Sequence, residues 1–356
     1  MPGQLFYLLA FIISLIVVLI YTPIVNRIGR QTGYVDKPDP RKIHKRPMVR
    51  LGGVAIFFGF VVAIFTLWIF GAFGITSHQK EWELWGILLG SLGFFGIGLA
   101  DDLFNLSAAL RLFLQTVISI LVWCWGVKIT FLSLPIIGLF DLGWFSLPIT
   151  AIWLVGMANA INWIDGVDGL AAGVAGISSI VMLIVCLFVG QQDAGAAIIA
   201  AALAGGALGF LRYNFSPAQI FMGDGGSYFM GFTLAGIGAI GLVKSVGITA
   251  VLLPYLILAV PIVDMSAVII SRLSNGRSPF RADNRHLHHR LLSAGVSHKN
   301  TVLFIYALTF WVGSLALGFS NIPSGWGFAA ASTLILMYVS WHIWREKSAK
   351  RGENDC

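Results

Sequence analysis

The chain has 356 residues, of which 57% are hydrophobic and 11% are charged, and its mean hydropathy is +0.85. Soluble globular domains carry about 25% charged residues, so this composition excludes a soluble fold and indicates an integral membrane protein. The formal net charge of +7 comes mostly from short segments between apolar runs. We therefore attribute it to membrane topology and to attraction for anionic headgroups and phosphates, and we expect no nucleic-acid partner.

About eleven apolar runs approach the roughly 20 residues that a membrane-crossing helix needs. They predict an all-α polytopic membrane protein that forms a single domain over residues 1–356. The runs lie near 4–25, 51–71, 83–100, 108–126, 147–163, 169–189, 195–212, 227–244, 248–271, 300–320 and 326–344. The first run has no Lys or Arg before it and no small-residue cleavage site after it, so we expect it to remain as an anchor.

The positive charges are distributed unevenly between the two predicted sides of the membrane. If the eleven runs all cross, 20 of the 23 Lys and Arg residues fall on one side. The positive-inside rule makes that side cytoplasmic, with the N-terminus outside and the C-terminus in the cytoplasm. A further span near 129–147 would destroy the asymmetry, and we predict an outer-face hairpin or re-entrant piece there.

The most informative stretch reads NAINWIDGVDGL and covers residues 159–170. Asn159, Asn162, Asp165 and Asp168 recur every three residues, which gives one polar face on a helix that tightens toward three residues per turn. An Asp at the centre of a membrane helix costs about 2.5 to 3.5 kcal/mol, so these side chains must reach water, a cation or a substrate. The alternative is an ordinary polar loop between two spans.

Other carboxylates lie at the ends of apolar runs or within them. Asp101 and Asp102 are adjacent, and their mutual repulsion favours a cation or a proton relay at that place. Asp224 lies among glycines in FMGDGGS, residues 221–227, where backbone N–H groups at a helix start can face a phosphate. The simpler alternative for Asp224 is a helix N-cap. Asp264, inside the ninth run, we interpret as structural rather than catalytic.

Two basic segments contain histidines, and either can hold phosphate or serve only as topology signals. The segment near 26–50 includes Lys45, and the segment near 272–299 includes Arg281, His286, His288 and His289. We disfavour a zinc site because no cysteine accompanies the histidines and the nearby arginines would repel a metal. Histidine beside arginine suits binding of a diphosphate through charge-assisted hydrogen bonds.

Apart from Asp264, these groups fall at the cytoplasmic ends of the predicted spans. The segments concerned lie near 26–50, 101–111, 159–169, 212–226 and 272–299. Carboxylates that bind Mg²⁺, next to cations that bind phosphate oxygens, indicate phosphoryl chemistry on a lipid.

Four motifs in this order resemble the polyprenyl-phosphate N-acetylhexosamine-1-phosphate transferase superfamily. They are ADD at 100–102, NAINWIDGVDGL at 159–170, FMGDGGS at 221–227 and HLHH at 286–289. The basic loops further resemble the branch that moves N-acetylglucosamine 1-phosphate from UDP-GlcNAc to undecaprenyl phosphate. Arg281 follows Pro279 and Phe280, which departs from the loop of the branch that uses UDP-MurNAc-pentapeptide.

The resemblance implies a transferase of the bacterial cytoplasmic membrane whose active site faces the cytoplasm. It implies release of UMP, dependence on Mg²⁺ with Mn²⁺ as a substitute, and the first membrane step of cell-envelope glycan assembly, as in lipopolysaccharide or teichoic acid biosynthesis. A homodimer is suggested only by the resemblance and by no residue pattern in the sequence. Other UDP-N-acetylhexosamines and UDP-MurNAc-pentapeptide stay open as donors. A cation-coupled transporter is a more distant alternative that should hold its carboxylates near the bilayer midplane.

The resemblance also implies residue roles. Asp224 is the principal metal ligand, with Asp102 or Asp101 close by, and Asp101 acts as a base toward the lipid phosphate or as a nucleophile. The implied catalytic residues are Asp101, Asp102, Asp165 and Asp168. The implied substrate-binding residues are Lys45, Asn162, Arg281, His286, His288 and His289.

Overall fold

The computed structural model describes residues 2–36, 47–75, 78–134, 138–188, 194–242, 248–276, 286–320, 322 and 324–354. Two of the predicted substrate-binding residues, Lys45 and Arg281, lie outside the described residues.

The described part contains thirteen α-helices and four short strands. The helices are α1 (Pro2–Thr32), α2 (Gly52–Ile69), α3 (His78–Phe104), α4 (Ala108–Cys124), α5 (Ser146–Ile164), α6 (Leu170–Phe188), α7 (Ala194–Asn214), α8 (Gly223–Ile237), α9 (Ile248–Ile257), α10 (Ala259–Ser274), α11 (Leu287–Ser293), α12 (His298–Phe319) and α13 (Gly325–Asn354). Strands β1 (Val35–Asp36) and β2 (Met48–Val49) pair antiparallel, as do β3 (Phe131–Leu134) and β4 (Gly138–Asp141).

The prediction of an all-α polytopic membrane protein is confirmed. Each of the apolar runs overlaps a helix, and eight of the described helices are long and apolar enough to cross a membrane. The ninth run forms two helices, because α9 ends at Ile257 and α10 begins at Ala259. Pro261 lies in the first turn of α10, where its missing N–H costs nothing.

The segment near 129–147 forms a hairpin of strands β3 and β4, in which Phe131 is opposite Asp141. A 3₁₀ turn at Gly143–Phe145 then leads directly into α5. Its position on the outer face of the membrane stays a prediction.

Small residues bring the central helices into close contact. Helix α7 is buried along most of its length, and it packs against α1 at Gly205, where a Cβ atom would overlap the carbonyl oxygen of Phe11. In the same way, a Cβ atom on Gly231 of α8 would lie 2.5 Å from the carbonyl oxygen of Met157 in α5. Helices in lipid pack through such small residues because apolar tails provide little drive for association.

Backbone hydrogen bonds join the start of α2 to the chain before α8. The N–H of Gly52 donates to the carbonyl of Phe221 (2.9 Å), and the N–H of Gly53 donates to that of Met222 (2.7 Å). The N–H of Phe221 in turn donates to the carbonyl of Val49 (2.8 Å). These bonds hold the beginning of α8 at the end of the bundle where α3 and α5 also end.

The contact at Gly205 predicts a stability effect. Gly205→Ala should lower the free energy of unfolding by about 1 to 3 kcal/mol, because the overpacking outweighs the gain of about 1 kcal/mol in helix propensity. Thermal unfolding of the detergent-solubilised protein measures the effect. Gly96→Ala is the matched control, since the space around that helical glycine is open. A Gly205→Ala protein that melts at or above the wild-type temperature would contradict the packing.

Candidate active site

A side chain from α3 caps the N-terminus of α8. Asp102, in the last turn of α3, accepts the N–H of Asp224 on Oδ1 (3.0 Å) and the N–H of Gly225 on Oδ2 (3.0 Å). The first N–H groups of a helix have no acceptor within the helix, and a carboxylate there also meets the positive end of the helix dipole. Asp102 therefore fixes the start of α8 against α3.

Glycines make this close approach feasible. Gly223 has a φ of +77°, in the left-handed region, and a Cβ atom there would lie 2.6 Å from Oδ2 of Asp102. A Cβ atom on Gly98 of α3 would overlap the carbonyl oxygen of Asp224. The simpler interpretation of Asp224 as an N-cap does not hold, because Met222 occupies that position and Asp102 supplies the capping oxygens.

The carboxylate of Asp224 faces α5 and two arginines. Asn162 donates from Nδ2 to Oδ1 of Asp224 (2.9 Å) and to Oγ of Ser227 (3.0 Å). Arg50 Nη2 lies 3.6 Å from Oδ1, and Arg111 Nη1 lies 3.7 Å from Oδ2. Each oxygen of Asp224 is thus close to one guanidinium group.

Asp101 and Asp102 have different partners although they are adjacent in the chain. Asp101 is 6% exposed, forms an ion pair with Arg111 and lies within hydrogen-bonding reach of Asp224. The chain turns between α3 and α4 at Asn105, which has a φ of +52°, and this turn brings Arg111 back over Asp101.

Asp165 completes a group of four carboxylates, Asp101, Asp102, Asp165 and Asp224, which we call the acidic cluster. Helix α5 ends at Ile164, so the partly buried Asp165 lies just outside the helix, close enough to Asp224 for the two charges to interact. Burial, and then the charge of Asp224, raise the pKa of Asp165 well above its ordinary value. Such a site favours binding of a proton or a cation.

Asp168 lies near Asp165 but bonds a different part of the chain. Its Oδ2 accepts the N–H of Ala218 (2.9 Å), which joins the turn after α5 to the loop after α7. Asn214 supports the same junction by accepting the N–H of Gly169 (3.0 Å) and donating to the carbonyl of Ile220 (2.9 Å). The hydroxyl group of Tyr306 also donates to the carbonyl of Gly169. Sequence reasoning missed Asn214 and Tyr306.

The even spacing from Asn159 to Asp168 does not give one continuous face, because the helix stops before Asp165. Asn159 donates to Oε1 of Gln115 in α4 (2.8 Å), one turn deeper in the bundle than the bond between Asn162 and Asp224. The four predicted polar residues therefore contact three different parts of the protein.

The three histidines lie at the start of the short helix α11, which we call the histidine helix. Nδ1 of His286 is 2.9 Å from Oδ2 of Asp264, and Oδ1 of Asp264 accepts the N–H of Leu287 (2.7 Å). His288 and His289 pack together with ring centroids 4.2 Å apart. Burial, followed by the charges of His289 and His286, lowers the pKa of His288 to about 3, so its imidazole is neutral at physiological pH.

The histidine helix packs on the loop that carries Asp165. A Cβ atom on Gly166 would lie 2.8 Å from Nε2 of His288, so only glycine fits beneath that ring. Trp163 lies edge-on to His286, with centroids 5.7 Å apart, and the guanidinium of Arg272 lies 5.0 Å from the Trp163 ring centre. The histidines and the acidic cluster therefore share one end of the bundle.

Comparison with known proteins identifies the family. Residues 84–243 match the model for glycosyl transferase family 4. The chain is 40% identical to the probable undecaprenyl-phosphate N-acetylglucosaminyl 1-phosphate transferase of Bacillus subtilis over 85% of this chain and 81% of the relative. It is 34% identical to the decaprenyl-phosphate N-acetylglucosaminephosphotransferase of Mycobacterium tuberculosis over 83% and 77%.

A third relative is the undecaprenyl-phosphate alpha-N-acetylglucosaminyl 1-phosphate transferase of Escherichia coli K12, which is 31% identical over 79% of this chain and 75% of its own length. The fold and the site define a multi-pass membrane protein with carboxylates and arginines gathered at one end. The chain belongs to glycosyl transferase family 4, which confirms the resemblance drawn from the four motifs.

The capping bonds of Asp102 predict that it contributes to stability. Asp102→Ala should lower the free energy of unfolding by about 0.5 to 2 kcal/mol, the usual effect of removing a helix cap. Thermal unfolding without metal or substrate measures this directly, since lost ligand binding then adds nothing. Asp102→Asn keeps one carbonyl acceptor, so its melting temperature should lie between those of the wild-type protein and Asp102→Ala. A wild-type melting temperature for Asp102→Ala would show that the cap is dispensable.

Proposed function

We propose that this protein transfers N-acetylglucosamine 1-phosphate from UDP-GlcNAc to undecaprenyl phosphate, giving undecaprenyl-diphospho-GlcNAc and UMP. The observation that carries the proposal is the acidic cluster, with Arg50 and Arg111 beside Asp224 at the capped start of α8. The names of the relatives support the same sugar phosphate and a polyprenyl-phosphate acceptor.

The reaction forms one phosphorus–oxygen bond and breaks another. An oxygen of the lipid phosphate attacks the phosphorus that carries the sugar, and the bond from that phosphorus to UMP breaks, so UMP leaves with the electron pair. Because both reactants are anions, the protein must chiefly position them and offset their charge. Arg50 and Arg111 are placed to donate hydrogen bonds to the phosphate oxygens.

The donor set of the acidic cluster fits Mg²⁺, with Mn²⁺ as a substitute. Within the described residues no group of three or more acidic, histidine or cysteine side chains forms a ready metal cage. Mg²⁺ is usually held by one or two carboxylates together with water and substrate phosphates, so a full cage is not needed. We assign Asp224 as the principal ligand, with Asp101 or Asp102 close by. A bound Mg²⁺ would offset the negative charge of the phosphates.

We assign the UDP-GlcNAc donor to one side of the acidic cluster, the side on which Asn162 and the histidine helix lie. Asn162 bonds Asp224 directly, and His288 packs on Gly166 beside Asp165. A donor held there has its diphosphate near His286, His288 and His289. Lys45 and Arg281 are assigned to the same diphosphate on the sequence motifs alone.

We further propose eleven membrane crossings, with the N-terminus outside and the active site facing the cytoplasm of a bacterial inner membrane. The ends that carry the site, at α2, α3, α5, α8 and α10, would then all be cytoplasmic. This topology puts 20 of the 23 Lys and Arg residues on the cytoplasmic side, as the positive-inside rule requires. Formation of a homodimer stays a prediction.

The decisive assay incubates purified protein with undecaprenyl phosphate, Mg²⁺ and a panel of UDP-sugars, and measures UMP. We expect UMP and a lipid-linked diphosphate sugar with UDP-GlcNAc, and little product with UDP-MurNAc-pentapeptide. A preference for another UDP-N-acetylhexosamine would correct the donor only. Solute flux without UMP formation would identify a transporter, and full turnover with a chelator present would refute the metal assignment.

Two substitutions in the acidic cluster separate metal binding from proton transfer. Asp224→Ala should abolish Mg²⁺-dependent UMP release at every pH. Lipid phosphate has a second pKa of about 6 and is mostly dianionic near neutral pH, so direct attack needs no strong base. Asp101→Asn should therefore retain more activity at high pH than at low pH. Equal, pH-independent loss in both variants would contradict direct attack.

A further inference from the structure

Asp264 is an acidic side chain that the proposed reaction does not yet use. It lies in α10, is 8% exposed and has both carboxylate oxygens engaged by the histidine helix. Oδ2 lies 2.9 Å from Nδ1 of His286, and Oδ1 accepts the N–H of Leu287 (2.7 Å). One carboxylate thus holds a ring nitrogen and caps the helix that carries the ring.

This arrangement fixes the tautomer of His286. A carboxylate can only accept a hydrogen bond, so Nδ1 of His286 must carry the proton. No other hydrogen bond to the His286 ring occurs within the described part of the chain, and Nε2 therefore remains for an external partner. A hydrogen bond to one nitrogen of an imidazole determines which nitrogen is available to a ligand, and it also fixes the orientation of the ring.

We propose that Asp264 is a positioning residue that orients His286 so that its Nε2 contacts the diphosphate donor. This inference rests on the proposed function, because the donor is defined there. Asp264 acts through His286 and touches no substrate itself. Asp264 thereby keeps the structural rather than catalytic role that its place inside an apolar run favours, and His286 is the group that it supports.

Asp264 lies near the start of α10, the second of the two helices that the ninth run forms, since α9 ends at Ile257 and α10 begins at Ala259. His286 is enclosed by Asp264 from α10, Trp163 from α5, and His288 and His289 from its own helix. Trp163 follows Asn162, the residue bonded to Asp224, so the ring is supported by the chain that forms the acidic cluster.

Nuclear magnetic resonance tests the tautomer without any need for activity. The chain has seven histidines, so ¹⁵N-histidine labelling gives a tractable spectrum, and loss of one ring signal in His286→Gln assigns it. We expect Nδ1–H in the wild-type protein. Asp264→Asn should change this pattern, because the introduced amide can donate to Nδ1 and leave the proton on Nε2. An unchanged ring spectrum would overturn the proposal.

Steady-state kinetics test the effect on the donor. Asp264→Asn should raise KM for UDP-GlcNAc about 10- to 100-fold, by analogy with the loss caused by removing a carboxylate that orients a metal-bound histidine, and should leave KM for undecaprenyl phosphate unchanged. Asp264→Glu should restore part of the loss. A fall in kcat with unaltered KM would instead indicate a general loss of folded protein and would overturn the proposal.

A double-mutant cycle decides whether Asp264 acts through His286. In a His286→Gln background, Asp264→Asn should add little further loss, because coupled residues are not additive. Ser297→Ala is the control, since it removes the bond by which Ser297 caps the adjacent helix α12 and leaves the side chains of the histidine helix unchanged, and its effect should add to that of Asp264→Asn. Additive effects of Asp264 and His286 would refute the coupling.

A wild-type protein that releases no UMP would refute the proposed function and leave the tautomer result standing.

Discussion

The hydrogen bonds from Asp102 to the backbone of α8 are the interaction on which the site depends. They join the last turn of α3 to the first turn of α8, at a place where glycines let the two backbones come together. The orientation of Asp224 depends on that junction, because its position at the start of α8 directs its side chain toward Asn162 and the two arginines. Without the cap, a buried helix N-terminus would leave backbone donors unpaired, which is costly away from water.

Electrostatics explain why the site lies at the end of the helical bundle. Four carboxylates gathered inside lipid would be strongly disfavoured, whereas at the end of the bundle Arg50 and Arg111 lie within ion-pairing distance of Asp224. The two arginines offset part of the negative charge of the four carboxylates, and in the proposed reaction the same guanidinium groups would also meet the phosphates of the substrates.

The contacts between Asp264 and the histidine helix are not evident from the position of Asp264 in the sequence alone. Asp264 lies in an apolar run, far along the chain from the other acidic motifs, and this context favours a structural role. Its partners become visible only when α10 and α11 fold against each other. The two polar supports of the Asp168 turn, Asn214 and Tyr306, were missed for the same reason, since each bonds a residue that is distant in sequence.

Composition, apolar run length and motif spacing are local properties, so the amino-acid sequence alone was enough to establish the solvent, the helical architecture and the four motifs. It also named the four carboxylates of the acidic cluster, but it grouped with them Asp168, which bonds the N–H of Ala218 instead. What each carboxylate contacts became known only from the folded protein. Asp101 and Asp102 are neighbours in the chain, yet one pairs with Arg111 and the other caps α8. Asp165 and Asp168 share a motif, yet Asp165 lies near Asp224 in α8 whereas Asp168 bonds the loop after α7, because α5 ends before both. Side-chain partners across helices depend on packing and on where each helix stops, and no single stretch of sequence specifies either.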